Sequence, residues 1–349
     1  MRRAYGSATY ARAFCPGRKR TAQRTGITAI LMIRVGVVGA GHFGREHARV
    51  YSTESNVRLF AVCDIDEARG RPIAEQHGAK FFRDFRDLKG NVDAVSLAVP
   101  TIHHHRVACE LLQAGIAVLV EKPISATVAE ADEMIAIAAS SKAVLQVGHL
   151  ERFNPAVAAA TQIVTRPLFF EAHRLSLFTP RSLDVDVVMD LMIHDIDVVL
   201  SLVTSEVSEV RAAGVPILTD KVDIANARIE FANGCVANLT ASRVSSDRVR
   251  KVRFFQPHEY VSIDYAAQET AVVSVTRSAS GRLDFDIRGL PVERDEPLKL
   301  ELQSFLNALS GASVEVSGED GRRALQVAVE INDKILEHAR RAGVPFADS

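Results

Sequence analysis

The 349-residue sequence predicts an α/β fold class in two parts, a doubly wound parallel sheet followed by an α+β half with a large, mostly antiparallel open sheet. Three observations predict it. From Ile33 to Gly148, short apolar β-branched runs alternate with helical patterns, as right-handed βαβ crossovers and a sheet covered on both faces require. After Gly148 the pattern changes to period-two alternation and closely spaced strand-like segments. The length also exceeds the roughly 250 residues that one core usually organises, so two domains are expected, 32–150 and 151–349.

Residues 1–31 carry seven Arg/Lys, no acid, no helical or alternating period and no apolar stretch of the secretory kind. They are expected to be a disordered extension or a misassigned start, with Met32 leading into the first strand; an Arg-rich transit peptide is the other reading. The strands of the first half are IRVGVV, VRLFAVCD, VDAVSLAV, IAVLV and AVLQVG, each bounded by turn signals. Between Ala94–Ala98 and Ile116–Val120, Val107, Ala108, Leu111 and Leu112 share one face of a helix that Gly115 closes. In the second half RPLFFEAHRLSLF alternates, VVMDLMIHDIDVVLSLV is helical, and strand-like segments run from about 206 to 290, with Asn233-Gly234 as a hairpin signal. Two helices, 298–309 and 319–341, close the chain and are expected to pack back on the first domain. Ser317, with Asp320 three residues on, opens the second.

Composition excludes some classes. With 47% hydrophobic and 24% charged residues and a net charge of −1, the chain has no global basic field for nucleic acid or anionic lipid, so neither is expected as a partner. The four cysteines, 15, 63, 109 and 235, form no C-x-x-C pair and no disulfide framework, which fits a reducing cytoplasm. No apolar run reaches the ~18 residues of a membrane helix. The most apolar stretch, Val187 to Val203, is broken by Asp190, His194, Asp195 and Asp197.

Gly39-x-Gly41-x-x-Gly44 follows the first strand and opens a helical run that begins at His42 and Phe43. Such glycines allow a tight strand-to-helix turn, close approach of backbone to a pyrophosphate and close helix–strand packing, and the helix N-terminus favours phosphate. The second strand ends in Asp64, 20 residues after Gly44, where a carboxylate would accept hydrogen bonds from an adenosine ribose and repel a 2′-phosphate. NAD, rather than NADP, is the expected cofactor of a Rossmann domain.

The ordered set GxGxxG, VPTIHHH, VEKPIS with Glu121-Lys122-Pro123, and then Asp190-x-x-x-His194 resembles the Gfo/Idh/MocA oxidoreductases over roughly residues 33–342. The resemblance implies a Rossmann domain, a second domain with a large open sheet, a nicotinamide cofactor and a sugar, cyclitol or related polyol as substrate. It places Pro100, Thr101, His104, Glu121 and Lys122 on the cofactor, and His149, Arg152, Phe153 and Asn154 among the polar surroundings of the substrate. A homo-oligomer, dimer or tetramer, through the second-domain sheet is expected with it.

The residue chemistry agrees. Lys122 ends a strand at the carboxyl edge of the sheet, where its ammonium could stabilise the alkoxide that precedes hydride loss. Asp190 and His194, four apart on one helix, are expected to hydrogen-bond, the imidazole acting as base and the carboxylate orienting it. Asp197 continues the stripe. Taken alone, these three are also readable as metal ligands or as the wet face of an amphipathic helix; no metal is expected. Of His103, His104 and His105, His104 is expected near the nicotinamide and the other two in solvent. GHLERFNPAV with DLMIHDID is similar to the family branch that oxidises the 3-hydroxyl of UDP-N-acetylglucosamine on the way to the 3-amino sugar of lipid A. The family's usual glycine pair before the D-x-x-x-H helix is replaced by PRSLDVDVV. Arg152, Arg174, Arg181 and Arg243 are the candidates for the diphosphate. A free-sugar or cyclitol dehydrogenase, a dehydrogenase of another nucleotide sugar and a non-catalytic NAD-binding regulator remain as other readings.

Overall fold

In the computed structural model, which describes residues 32–179 and 185–344, six apolar runs pair as one parallel sheet. They are β1 (Ile33–Val38), β2 (Val57–Cys63), β3 (Lys80–Phe82), β4 (Ala94–Leu97), β5 (Ala117–Glu121) and β6 (Leu145–Gly148), in spatial order β3-β2-β1-β4-β5-β6. The helices α1 (His42–Tyr51), α2 (Glu67–Gln76), α3 (His104–Gln113) and α4 (Val128–Ser141) are the crossovers. Burial on both faces explains the apolar run of β5, where Val118 and Val120 enter one core cluster while Ala117 and Leu119 enter another. Truncating Leu119, 1% exposed, to Ala should cost about 2–5 kcal/mol. Strand order reverses between β1 and β4, which opens a crevice at the carboxyl ends of the strands.

After α5 (Pro155–Thr161), capped by the Asn154 side chain, comes an eight-stranded sheet. It comprises β7 (Phe169–Leu175), β8 (Val207–Val215), β9 (Ile224–Phe231), β10 (Val236–Ser242), β11 (Val249–Gln256), β12 (Glu259–Asp264), β13 (Glu269–Arg277) and β14 (Leu283–Gly289), ordered β14-β13-β12-β11-β7-β10-β9-β8. All neighbours are antiparallel except β7 and β10. One face is buried, as Phe170, Ala172, Leu239, Val252 and Phe254 show. The other carries the half-open rings Phe169, Phe255 and Tyr260, and edge strand β14 exposes Leu283, Phe285 and Ile287.

A π-turn (Val188–Met192) leads into α6 (Ile193–Leu202), and the chain closes with α7 (Pro297–Leu309) and α8 (Gly318–Ala342). α8 begins with a capping box in which Ser317 accepts from Asp320 N and the Asp320 carboxylate accepts from Ser317 N. It packs on α4 and β6 of the first sheet and on α6 and β8 of the second, while α7 packs on α1. No described helix is long and apolar enough to cross a membrane. The expectations for residues 1–31 and for Arg181 fall outside the described residues.

Candidate active site

The strand-to-helix turn after β1 is dictated by its glycines. Gly39 adopts φ +99°, and a Cβ there would lie 2.4 Å from the Ala98 carbonyl oxygen; one on Gly44 would lie 1.7 Å from that of Gly39. Both positions therefore require glycine to bring strand and helix together. Gly41 differs, since a Cβ there would meet nothing within 4 Å. Its backbone faces open space at the start of α1, as approach by a pyrophosphate demands. Asp64 braces the turn: its Oδ2 accepts from Ala40 N at 2.6 Å and its Oδ1 from Asp66 N at 2.8 Å.

This turn forms one wall of a 790 Å³ cavity at the carboxyl ends of the parallel strands. Gly39, Gly41, His42, Phe43 and Asp64 line it at one end, and Pro100, Thr101, Glu121, Lys122 and Asp190 at the other. Gly44 stays beneath the turn, where it packs helix on strand. Volume, open glycine backbone and a carboxylate on the cavity wall all suit a dinucleotide. Arg69 and Arg83 also border the cavity, but Arg69 pairs with Asp66 at 3.1 Å and Arg83 with Glu67 at 3.6 Å.

At the other end the two halves of the chain meet. The half-buried Lys122 donates from Nζ to the main-chain carbonyl of Asp190 at 2.7 Å, with Asp190 Oδ1 at 3.4 Å. The Asp190 carboxylate therefore serves the lysine. The hydrogen bond expected between Asp190 and His194 is not formed, because the turn carrying Asp190 winds with i→i+5 bonding and moves positions four apart off a common line. His194 stands close enough for the charge of Lys122 to act on it: burial first, then Lys122, Arg174, His149 and Arg250, push its pKa well below the usual histidine value. Its imidazole is therefore neutral, and the same burial and cations oppose its taking a proton until negative charge develops beside it.

The wet-face reading of this helix does not survive, since Asp195 and Asp197 are both buried. Asp195 takes both oxygens to Arg174, at 2.9 and 3.0 Å, and Arg174 also donates to Glu151 at 2.9 Å. Burial opposes the Arg174 charge, but Asp195 and Glu151 outweigh it and hold its pKa above the ordinary value. Asp197 faces Arg152 at 3.6 Å, and Arg152 also donates to the Glu315 carbonyl. Asp190 and Asp197 thus face different cations and do not converge on one ion.

These pairings settle where the diphosphate candidates lie. Arg152 and Arg174 are spent on buried acids, and Arg243 donates to the Val185 carbonyl at 2.5 Å and lies 3.7 Å from Asp223. Phe153 is in the core, and Asn154 caps α5 and donates to the Tyr265 carbonyl. His149 is 1% exposed, and neither ring nitrogen has a partner among the described residues; burial, then Lys122 and Arg152, drop its pKa to about 3. His104 is also buried, its ring nitrogens 2.9 Å from the Pro123 and Val99 carbonyls, so it braces the Lys122–Pro123 segment from behind. His103 takes the place on the cavity wall, because the turn Thr101–His103 points it there, and His105 pairs with Glu133. No spacing in a run of three histidines marks which one turns inward.

With this geometry, comparison with known proteins is informative. Residues 33–149 match the model of an oxidoreductase family with an NAD-binding Rossmann fold, and residues 166–255 match the GFO/IDH/MocA C-terminal domain. The chain belongs to the Gfo/Idh/MocA oxidoreductases. UDP-N-acetylglucosamine 3-dehydrogenase of Acidithiobacillus ferrooxidans is 38% identical over 86% of this chain and 97% of its own. A solved structure of that protein superposes with a TM-score of 0.81, at 37% identity, over 87% of this chain and 97% of its own. Myo-inositol 2-dehydrogenase of Thermotoga maritima is 28% identical over 88% of this chain and 97% of its own. The fold is shared with scyllo-inositol dehydrogenase of Lactobacillus casei, solved with NAD(H) and scyllo-inositol, at a TM-score of 0.73 and 19% identity over 88% of this chain and 98% of that one.

Membership of the Gfo/Idh/MocA family makes the protein an NAD-binding oxidoreductase acting on CH–OH groups. Within that family frame, sequence reasoning missed Arg250, whose Cα lies opposite that of Arg174 across the β11–β7 pair. Period two puts it on the same face of the sheet as the buried Val252 and Phe254, yet it is exposed and makes no ion pair or hydrogen bond through its side chain among the described residues. Its charge acts on His194. The only signal in the sequence was an Arg at the end of a strand whose register could not be known.

Proposed function

We propose that the protein oxidises a sugar hydroxyl to a ketone, and that the hydroxyl is the 3-OH of UDP-N-acetylglucosamine. The observation that carries the chemistry is Lys122 held by Asp190 at the inner end of the dinucleotide cavity, beside a neutral His194. When bound, NAD supplies the hydride acceptor. His194 takes the hydroxyl proton, Lys122 stabilises the developing alkoxide, and Asp190 holds the ammonium in place. Arg250 is the cation we assign to the diphosphate, because Arg152 and Arg174 are occupied by buried acids. The choice of sugar rests on the similarity to the Acidithiobacillus ferrooxidans protein, and the 3-keto product suits transamination to the 3-amino sugar used in lipid A. The apolar β14 edge and the open aromatic face of the second sheet favour pairing with a second copy.

The test is a panel of UDP-N-acetylglucosamine, other UDP-sugars, free N-acetylglucosamine and myo-inositol, each with NAD, followed by NADH absorbance and mass analysis of the product. Turnover confined to the UDP-sugar, with loss of two hydrogens from the hexosamine, is expected. Turnover of inositol or free sugar instead would move the substrate. No NADH from any of them would favour a regulator that keeps the fold without the reaction.

A further inference from the structure

The residue before Lys122 enters a buried set that the proposed chemistry does not use. Glu121 Oε1 lies 3.0 Å from Nε2 of His47, a fully buried residue of α1. Glu301 of α7, 1% exposed, completes the set, and ligand-capable atoms of His47, Glu121 and Glu301 all lie within 4.8 Å of one another. Both Glu301 carboxylate oxygens lack a hydrogen-bond partner among the described residues. Two carboxylates this close, one of them fully buried, resist joint ionisation unless a cation lies between them. Glu121 has the imidazole and borders the cavity, whereas Glu301 has neither.

We propose that Glu301 is a positioning residue, a neutral carboxylic acid whose hydroxyl dipole faces Glu121 and which, with His47, fixes the end of β5 from which Lys122 projects. Among the described residues no Lys or Arg pairs with Glu301: on α1, Arg45 is exposed and Arg49 pairs with Glu46 and Glu296. On α1, His47 faces Glu121, and the Tyr51 hydroxyl is 2.8 Å from Ser96 Oγ. On β6, Gln146 donates to the Glu301 main-chain carbonyl at 3.3 Å. The turn Leu150–Phe153, packed on α7, carries Glu151 and Arg152, which are engaged by Arg174 and Asp197. Burial, then the charge of Glu121, raises the Glu301 pKa well above the carboxylate value. α7 thereby reaches the catalytic lysine through one side chain, while its partner α1 carries the phosphate-binding turn.

Two variants and one pH series test this. The stability that Glu301 contributes is complete below its unfolded value of 4.5 and is lost as pH rises through the higher folded value. E301Q has no such proton to lose, so its Tm minus that of the wild type should grow as pH rises from 4.5 into the alkaline range. This arm needs no substrate and is independent of the sugar assigned above. E301M should lower kcat about 10²-fold with KM for NAD changed less than about threefold, as a misplaced lysine does, and E301Q should restore kcat to within about threefold. The proposal is overturned by a Tm difference that stays flat or falls with pH, by wild-type kcat in folded E301M, or by a stoichiometric divalent metal in the wild type that E301Q loses. If E301M does not fold, the E301Q series decides alone.

Discussion

Replacing Lys122 by Met and, separately, Asp190 by Asn measures what each contributes to the transition state. Met keeps the aliphatic stem and removes the ammonium of a side chain that lines the cavity and is only 11% exposed. Losing a preorganised donor aimed at a developing oxyanion costs about 3–4 kcal/mol, so kcat should fall about 10²–10³-fold with NAD affinity nearly unchanged. The Asp190→Asn change leaves intact the 2.7 Å bond from Nζ to the main-chain carbonyl and removes only the longer 3.4 Å contact with the carboxylate. A long, partly exposed ion pair is worth about 1 kcal/mol, which limits the D190N loss to roughly three- to tenfold. Steady-state kinetics with NAD titrations, on protein whose Tm is checked, separates the outcomes. Equal losses in K122M and D190N would show that the carboxylate acts on the substrate or on His194, and wild-type turnover in K122M would remove lysine from the chemistry.

Four further outcomes are expected. Gly44→Ala should cost more than about 3 kcal/mol, because its Cβ would lie 1.7 Å from backbone, whereas Gly41→Ala should leave Tm unchanged and weaken NAD binding in calorimetry. Asp64→Ala should weaken NAD about ten- to a hundredfold and narrow the preference over NADP; tighter NADP binding by the wild type would contradict the role given to the carboxylate. Asp197, raised by burial from 3.8 to about 7, contributes stability that is lost as pH rises across that window, so Asp197→Asn should gain Tm relative to wild type between those values. Arg250→Met should raise KM for a UDP-sugar about tenfold and abolish inhibition by UDP, with NAD affinity unchanged; an unaltered KM would place the diphosphate elsewhere.

Much of the fold was legible because it depends on periodicities that tertiary context does not reverse. The central strands β1, β4 and β5 are mostly apolar since both faces are buried, and β7 alternates since one face is open. The glycine turn was legible for a related reason: Gly39 and Gly44 answer to backbone atoms within a few residues of the motif or on the adjacent strand end. The pair Ser317 and Asp320 is likewise local.

Sequence spacing failed where the outcome depends on which distant partner claims a side chain. Asp190 and His194 have helical spacing, but a single π-turn changes their phase, and Lys122, 68 residues away, takes the acid. Four arginines were equivalent as diphosphate candidates until Asp195, Asp197, Glu151 and Asp223 were seen beside three of them. The same competition explains Arg250: Arg174 opposite it has already taken Asp195 and Glu151, so the charge on β11 is left facing the side of the sheet where His194 lies. Arg250 is exposed, and Glu151 and Asp195 act on it without pairing with it, so an anion arriving with the substrate would find a charge partner there. A nucleoside-diphosphate sugar brings that anion and a neutral sugar or cyclitol does not, which makes Arg250 the residue whose removal should separate those substrates most sharply.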